Sequence, residues 1–529
     1  MSEPWLPSDH GVPNRGLRAS AARGLTWTFA ETWGRQLLNL GVFVVLARLL
    51  TPVDFGVVAL ASVFVALAQL VVDQGLGDAL IQRREITRRH IDTAFWAAVV
   101  TGVLLTAAGL LLAAPIAALL DEPELAPILQ VLSLTFVLGS FSSIQIALLR
   151  REFAFRSLAI RAIGAAAGGG GIGIVMALLD MGAWALVGQM VASAVLSVLL
   201  LWWVSPWRPS RSFSREHFRE LFGFGVHVVG SDILSFVSRN IDNLLIGVVL
   251  GTVSLGYYAV AYRILTVTQT LLVNVARKIA FPAFSRLQDD PQRLVRAYYR
   301  VTRGVSVIIL PGYVGLAVAA PELIVTVFGS RWAPSAQVAA MLFLIGPVLT
   351  VQAFAGSLLN AAGFPQVVLR FRLITSVTNV IGFIIAVQFG ILAVAAAFVI
   401  RGYLLMPLIL YWMRRYAGVP PIEYLRQLVG VSLSTALMAA AMLGIKAVLA
   451  DEPPSLVLAA EVAVGAVTFV AALWYVERRV LHEVVAIARE SLARPRGARR
   501  RERERSPAGN GPADLDPEAA PEDEAALGR

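Results

Sequence analysis

Leu50-Thr51-Pro52-Val53-Asp54-Phe55-Gly56-Val57-Val58-Ala59-Leu60 joins two long apolar segments that together run from Gly24 to Gln82. Its pattern returns two hundred positions later as Leu250-Gly251-Thr252-Val253-Ser254-Leu255-Gly256-Tyr257-Tyr258-Ala259-Val260. Leu, Val, Gly and Ala recur in the same order, and Ala261 and Gln269 echo Ala61 and Gln69. In an apolar chain such a repeat implies two similar halves facing one another across a central path.

The rest of the chain is apolar enough to support that reading. Of its 529 residues 57% are hydrophobic and 15% charged, with a mean hydropathy of +0.71, whereas soluble domains carry about 25% charged residues. Apolar runs recur as far as Val476, each long enough to cross a hydrocarbon layer roughly 30 Å thick as a helix. The expected fold is therefore an all-α polytopic membrane protein. With no cysteine there is no disulfide framework, thiolate nucleophile or Cys-ligated metal. Residues 1–23 hold prolines and charges without an apolar core, so they do not read as a cleavable signal peptide.

Fourteen spans are expected, near 24–49, 54–81, 91–113, 125–148, 157–179, 183–204, 218–250, 255–280, 301–320, 336–359, 367–388, 391–413, 424–449 and 456–476. Arginines check the count. With the N-terminus in the cytoplasm, only seven of the 45 Lys and Arg residues (Arg35, Arg48, Arg239, Arg263, Arg331, Arg401 and Lys446) lie in outer loops or in spans away from their inner ends. This alternation follows the positive-inside rule and accounts for the net charge of +10 without nucleic acid. The domains read as a cytoplasmic segment 1–23, six spans in 24–204, six in 205–413, two additional spans in 414–480, and a tail 481–529. The tail, basic and then acidic, is expected to be disordered, with its basic block along anionic lipid headgroups.

Outer connections are short, the longest running from Pro321 to Ser335. On the inner side Arg277 to Arg303 alternates charge with Leu, Val and Tyr, as on an interfacial amphipathic helix joining the two repeats. The small residues Gly164 to Gly173 let helix backbones approach closely.

Motifs for zinc, Walker-type phosphate loops and nucleophile elbows are absent. The histidines (His10, His90, His217, His227 and His482) do not cluster at metal-ligand spacing. No catalytic residue, metal or other cofactor is expected. What remains is a set of polar and ionisable groups inside apolar helices, where each charge costs about 2.5–3.5 kcal/mol on insertion scales and so faces a partner or water. Glu31, Arg35 and Asn39 share a face of the first span; Asp232, Arg239 and Asp242 share one of the seventh, with Asn39 and Arg239 equivalent under the repeat. Gln69 and Asp73 on the second span, Tyr262 and Arg263 on the eighth, and Arg401 on the twelfth complete the candidates. Two readings stand: structural ion pairs (Glu31 with Arg35, Arg239 with Asp232 or Asp242), or leading helices that line a wet cavity whose arginines meet an anionic group. Gln74-Gly75-Leu76-Gly77, between Asp73 and Asp78, reads as a hinge or a helix end.

Several stretches carry a family resemblance: Leu50 to Ala61, Asp73 to Arg83, Arg150 to Arg156, Gly182 to Val187, Asp242 to Gly247 and Leu255 to Arg263. Across about residues 15–480 the chain resembles the bacterial lipopolysaccharide and exopolysaccharide repeat-unit flippases, the polysaccharide-exporter branch of the multidrug, oligosaccharidyl-lipid and polysaccharide transporter superfamily. The resemblance implies about fourteen helices in two pseudo-twofold-related lobes around a central cavity, and alternating access in the plasma membrane. It also implies an undecaprenyl-pyrophosphate-linked oligosaccharide as cargo, membrane lipids as surroundings, and a polysaccharide polymerase and glycosyltransferases as partners. The alternatives are a multidrug-extrusion cation antiporter of the same superfamily and, from a different class, a membrane glycosyltransferase or polymerase of the same pathway. A membrane enzyme of that kind would usually need a large outer loop or a soluble domain.

If both termini are cytoplasmic, cysteines placed at Asp121 and Asp451 react with an impermeant thiol reagent in intact cells; labelling only after permeabilisation would reverse the orientation.

Overall fold

A computed structural model describes residues 14–478 except 74, 75, 84, 85, 275–283, 285, 286, 288 and 289. At 73, 78, 82, 221–235, 237, 238, 274 and most of 14–30 only the backbone is described. The elements are α1 (Asn14–Leu49), α2 (Pro52–Asp73), α3 (Leu76–Gln82), α4 (Arg88–Leu119), α5 (Leu125–Arg151), α6 (Phe155–Leu178), α7 (Ala183–Val204) and α8 (Arg215–Thr268). They continue as α9 (Pro291–Phe328), α10 (Ala333–Phe343), α11 (Gly346–Gln352), α12 (Ala355–Ala361), α13 (Pro365–Ala386), α14 (Ile391–Ala417), α15 (Pro421–Val448) and α16 (Pro454–Val476). No strand occurs among the described residues.

The two repeat segments make the same reversal by different chemistry. Before α2, the Thr51 amide and hydroxyl donate to the Asp54 carboxylate at 2.8 and 2.6 Å, and the Asp54 amide donates back to Thr51 Oγ1 at 3.4 Å. Pro52 fills the first helical position, where its missing N–H costs nothing. In α8 the equivalent of Thr51 is Gly251, with φ +81° and ψ 172° inside an otherwise helical run. Only glycine adopts that conformation freely.

The halves then meet through their repeated glycines. A Cβ on Gly56 would stand 1.8 Å from the Thr252 carbonyl oxygen, and one on Gly256 would stand 1.9 Å from the Pro52 carbonyl oxygen. Residues 52 and 252 are equivalent under the repeat, as are 56 and 256, so each copy makes on the other the contact it receives. Reciprocal contacts of that kind are what a twofold axis produces. Leu60, Ala61, Val260 and Ala261, again equivalent pairs, are fully buried at this α2–α8 contact.

Twelve helices among the described residues are long and apolar enough to cross a membrane, against the fourteen spans read from the sequence. The two counts differ at two places. Residues 239–273, which include Gly251, count as one of the twelve, and α1, which carries Glu31, Arg35 and Arg48, is not among them. The lipid-facing surface is greasy, with Leu111, Leu119 and Leu404 more than 70% exposed.

Three connections depart from the sequence reading. The outer loop Pro321–Ser335 is mostly helix, because α9 continues to Phe328 and a short 3₁₀ turn at 330–332 leads into α10. The second part of the proposed interfacial helix, from Pro291, is the first turns of α9, capped by Asp290 accepting from the Arg293 amide; most of the first part lies outside the described residues. The tenth span is divided into α10, α11 and α12, with Pro347 starting the second piece. Gln74 and Gly75, read from the sequence as a hinge or a helix end, lie outside the described residues. The glycines of α6 do serve packing: a Cβ on Gly169 would meet Ser193 Oγ at 1.9 Å, and one on Gly170 would meet Val42 at 2.5 Å. The chain divides after Val476, and the expected tail from 481 lies outside the described residues.

Gly56→Leu or Gly256→Leu forces α2 and α8 apart by more than an ångström. Either variant reaches the membrane in normal amount, and a thiol probe at Val58→Cys, shielded in the parent, becomes reactive.

Candidate substrate cavity

Beside the glycine contact, two helix ends cap each other. Arg48, at the end of α1, donates through Nε to the Val327 carbonyl at 2.8 Å and through Nη2 to the Thr326 carbonyl at 2.5 Å, both in the last turn of α9. In return Trp332 Nε1 donates to the Ala47 carbonyl at 2.7 Å, and Arg331 Nη1 to the Leu50 carbonyl at 3.0 Å. Terminal carbonyls that lack intrahelical partners are thus satisfied from across the interface, with a cation at the negative end of the α9 dipole. Thr252 adds a bond to Glu122 at 2.8 Å. All these contacts lie at the end of the molecule that carries the α1–α2, α4–α5 and Gly251 turns.

Below them sits an aromatic ceiling. Phe55 meets Phe43 edge-on at 5.5 Å and Trp332 at 5.3 Å, and Phe43 meets Phe328 at 5.8 Å. Under it opens a cavity of about 710 Å³ whose lining includes Phe43, Phe55, Asn39, Ser62, Gln69, Thr135, Ser142, Gln189, Ser193, Ser197 and Arg263. Arg263 lies 5.9 Å over the Phe43 ring. Of the residues expected there, Asn39, Gln69 and Arg263 are lining residues. Arg35, exposed in α1, lies within electrostatic reach of Arg263, and Arg161 lies within reach of Glu31, Arg35 and Arg150. Among the described residues Glu31 and Arg35 form no ion pair with each other. Among the described residues, then, Arg263 on the cavity lining has Arg35 and Arg161 in the surrounding group against the single carboxylate of Glu31, an excess that favours an anionic guest.

The remaining candidates separate from this group. Asp242 is buried in the core, accepting from the Tyr258 hydroxyl at 2.8 Å and the Asn243 amide at 2.9 Å, so it is neither a lining residue nor the partner of Arg239. Tyr262 stacks on Tyr258 at 5.7 Å, with Arg239 and Arg401 in electrostatic reach. Arg401 lies 5.1 Å over Phe398, and Arg239 is exposed. The Asp73 and Asp232 side chains lie outside the described residues.

At the opposite end, α8 is anchored back onto α3 and α4. Buried Asp92 accepts from the Ser210 amide at 3.1 Å, from the Ser210 hydroxyl, and from the Ser212 hydroxyl at 2.9 Å. His90 and His217, 127 residues apart and without metal-ligand spacing in the sequence, stack at 3.8 Å. Together with Glu220 they place three ligand atoms within 4.8 Å of one another, a set able to hold a metal. Here Arg83 takes that role, donating to His90 Nε2 and to the Glu220 carboxylate, each at 2.6 Å.

Residues 45–337 match the family described as polysaccharide biosynthesis protein. The chain belongs to that family. Among similar proteins, the lipopolysaccharide biosynthesis protein WzxC of Escherichia coli is 28% identical over 408 residues, 77% of this chain and 82% of its own. The succinoglycan biosynthesis transport protein ExoT of Rhizobium meliloti is 28% identical over 331 residues, 63% of this chain and 67% of its own. The solved structure of the lipid II flippase MurJ in an inward closed conformation shares the fold, with a TM-score of 0.71 over 86% of this chain and all of that one, at 15% identity.

In this polysaccharide biosynthesis protein the sequence reading passed over part of the cavity wall. Gln189, Ser193 and Ser197 recur every four residues along an otherwise apolar α7, the signature of one polar helix face. Arg161, near the inner end of the fifth expected span and not among the candidates, donates to Ser197 at 2.9 Å.

Arg263→Ala and Arg161→Ala each weaken export about ten- to a hundredfold, the loss expected of one charged hydrogen bond worth ~1.5–3 kcal/mol. Asp242→Asn, which keeps an acceptor for Tyr258, leaves export within about twofold; export assays at matched membrane levels separate the two classes.

Proposed function

We propose that this multi-pass membrane protein is a flippase that carries a polyprenyl-pyrophosphate-linked oligosaccharide repeat unit across the plasma membrane by alternating access, for surface polysaccharide synthesis. The observation that carries the proposal is a cavity with an arginine excess, sealed at one end by contacts between the two repeats, in a chain of this family. Guanidinium groups suit phosphate oxygens, and the serine, glutamine and asparagine side chains suit hydroxyl-rich sugars. Arg35, Arg161 and Arg263 receive the pyrophosphate, while Asn39, Gln69, Gln189 and Ser193 meet the glycan. Names of the related proteins support transport over catalysis.

With both termini cytoplasmic, the sealed end is the outer one and the cavity faces inward, ready for cargo from the inner leaflet. The lobes comprise 24–204 and 205–413, with the start of the second, at Ser210 and Ser214, hydrogen-bonded back to Asp92 and Thr93 on α4 of the first. Opening then amounts to parting α2 from α8 at the glycines while the α8 foot stays anchored. A polymerase and glycosyltransferases supply and consume the cargo.

Removing the protein makes a lipid-linked oligosaccharide accumulate in the inner leaflet and stops surface polymer, and restoring it reverses both. Accumulation of free sugar nucleotide without lipid-linked product, or efflux of cationic dyes with polymer intact, would replace this reading with a glycosyltransferase or a multidrug antiporter respectively.

A further inference from the structure

The last two helices hold charges that the cavity does not use. Along α16 the buried residues Val457, Glu461, Gly465, Phe469 and Leu473 recur every fourth position and form the single face turned toward the protein. Glu461 has no exposed surface, and neither of its carboxylate oxygens has a hydrogen-bond partner among the described residues. Its charged neighbours are Glu322 on α9 and Lys446 on α15, which pair with each other at 2.8 Å. Lys446 is therefore balanced by Glu322, and Glu461 is left without a counter-charge.

A crevice of about 300 Å³ opens near this group on the side of the α15–α16 loop, its lining including Pro321, Glu322, Lys446, Glu452, Pro454 and Val457. Val457 is one turn above Glu461 on the same face, so about one helical turn separates a crevice-lining residue from the buried carboxyl. One turn further down, Gly465 admits the Met442 side chain, whose sulfur would be 2.9 Å from a Cβ there, and this packing closes the floor. Seven residues from the start of α16, Glu461 lies about 10 Å along the helix, well within an apolar span.

We propose that Glu461, with the Lys446–Glu322 pair beside it, is a proton-binding site between α9, α15 and α16. Burying a carboxylate among apolar side chains with no donor to hold its charge is costly, and the crevice brings water to within about one helical turn of it. A metal or alkali cation fits less well, because hard cations take a shell of several oxygens and this site offers only two carboxylates. Lys446 moderates the site: its charge favours ionised Glu461, whereas Glu322, and Glu452 at the crevice, oppose it. α16 contributes no second charge. The site supplies the proton half of an ion-coupled transporter at a distance from the cargo cavity, and its existence does not depend on which cargo that cavity takes.

The full-length protein in native membranes is treated with dicyclohexylcarbodiimide, which reacts with protonated carboxyls in apolar surroundings, and labelled peptides are read by mass spectrometry across a pH series. Glu461 is expected to be labelled at low pH, with the rate falling about tenfold per unit once the carboxyl ionises. Glu461→Gln abolishes that peptide's label, and Lys446→Gln extends labelling to higher pH because the cation favouring ionisation is gone. No labelling at any pH, or a rate independent of pH, would make Glu461 a permanently neutral packing group and overturn the proposal. Slower labelling when choline is exchanged for sodium at constant ionic strength would assign the site to sodium instead. Because the reaction needs no cargo, its failure leaves the flippase reading untouched.

Discussion

Everything else in this molecule is arranged around two glycines pressed against two carbonyl groups. Gly56 on Thr252 and Gly256 on Pro52 bring backbone against backbone with no side chain between, which is as close as two helices come. Such contacts have no tolerance: even a methyl group would occupy the space of a carbonyl oxygen. They also fix what stands nearby. With α2 and α8 held there, the ends of α1 and α9 arrive within hydrogen-bonding distance of each other, and Phe43, Phe55 and Trp332 meet over the cavity.

The polar groups follow from what apolar helices tolerate. Gln189, Ser193 and Ser197 on α7, and Asn39 and Gln69 on α1 and α2, are acceptable inside spans because they converge on one volume in which each meets water or another polar group. Asp242 shows the other solution. It is taken out of any wet space and its charge is met by a tyrosine hydroxyl and an amide. Two carboxylates that look alike in a hydropathy profile, Asp242 and Glu461, thus have opposite environments, one hydrogen-bonded and one bare.

The helical architecture and the repeat were legible in the sequence because both rest on local pattern: run length, arginine spacing, and a glycine recurring at a fixed offset. Asn39, Gln69 and Arg263 were legible as polar residues in apolar spans. Arg161 was hidden because its position near an arginine-rich connection gave it a ready topological explanation, and only the fold brings it to Ser197. The pairing of His90 with His217 was hidden for a different reason, since stacking between residues so far apart depends on how the 205–214 segment folds back onto α4. Division of the tenth span into α10, α11 and α12 had a signal in Gly346-Pro347, but a twenty-residue apolar run outweighed it.

The mutual capping by Arg48, Arg331 and Trp332 bears on how easily this end of the protein parts. Carbonyls in a helix's last turn are as content with water as with an arginine, so separation exchanges one set of acceptor bonds for another at a net of about 0.5–1.5 kcal/mol each. A seam stitched this way resists slippage sideways, because the donors are aimed, yet it is nearly indifferent to being unzipped by solvent. The closed and the parted seam can therefore lie close in free energy, and a ligand with a modest preference for one is enough to choose between them.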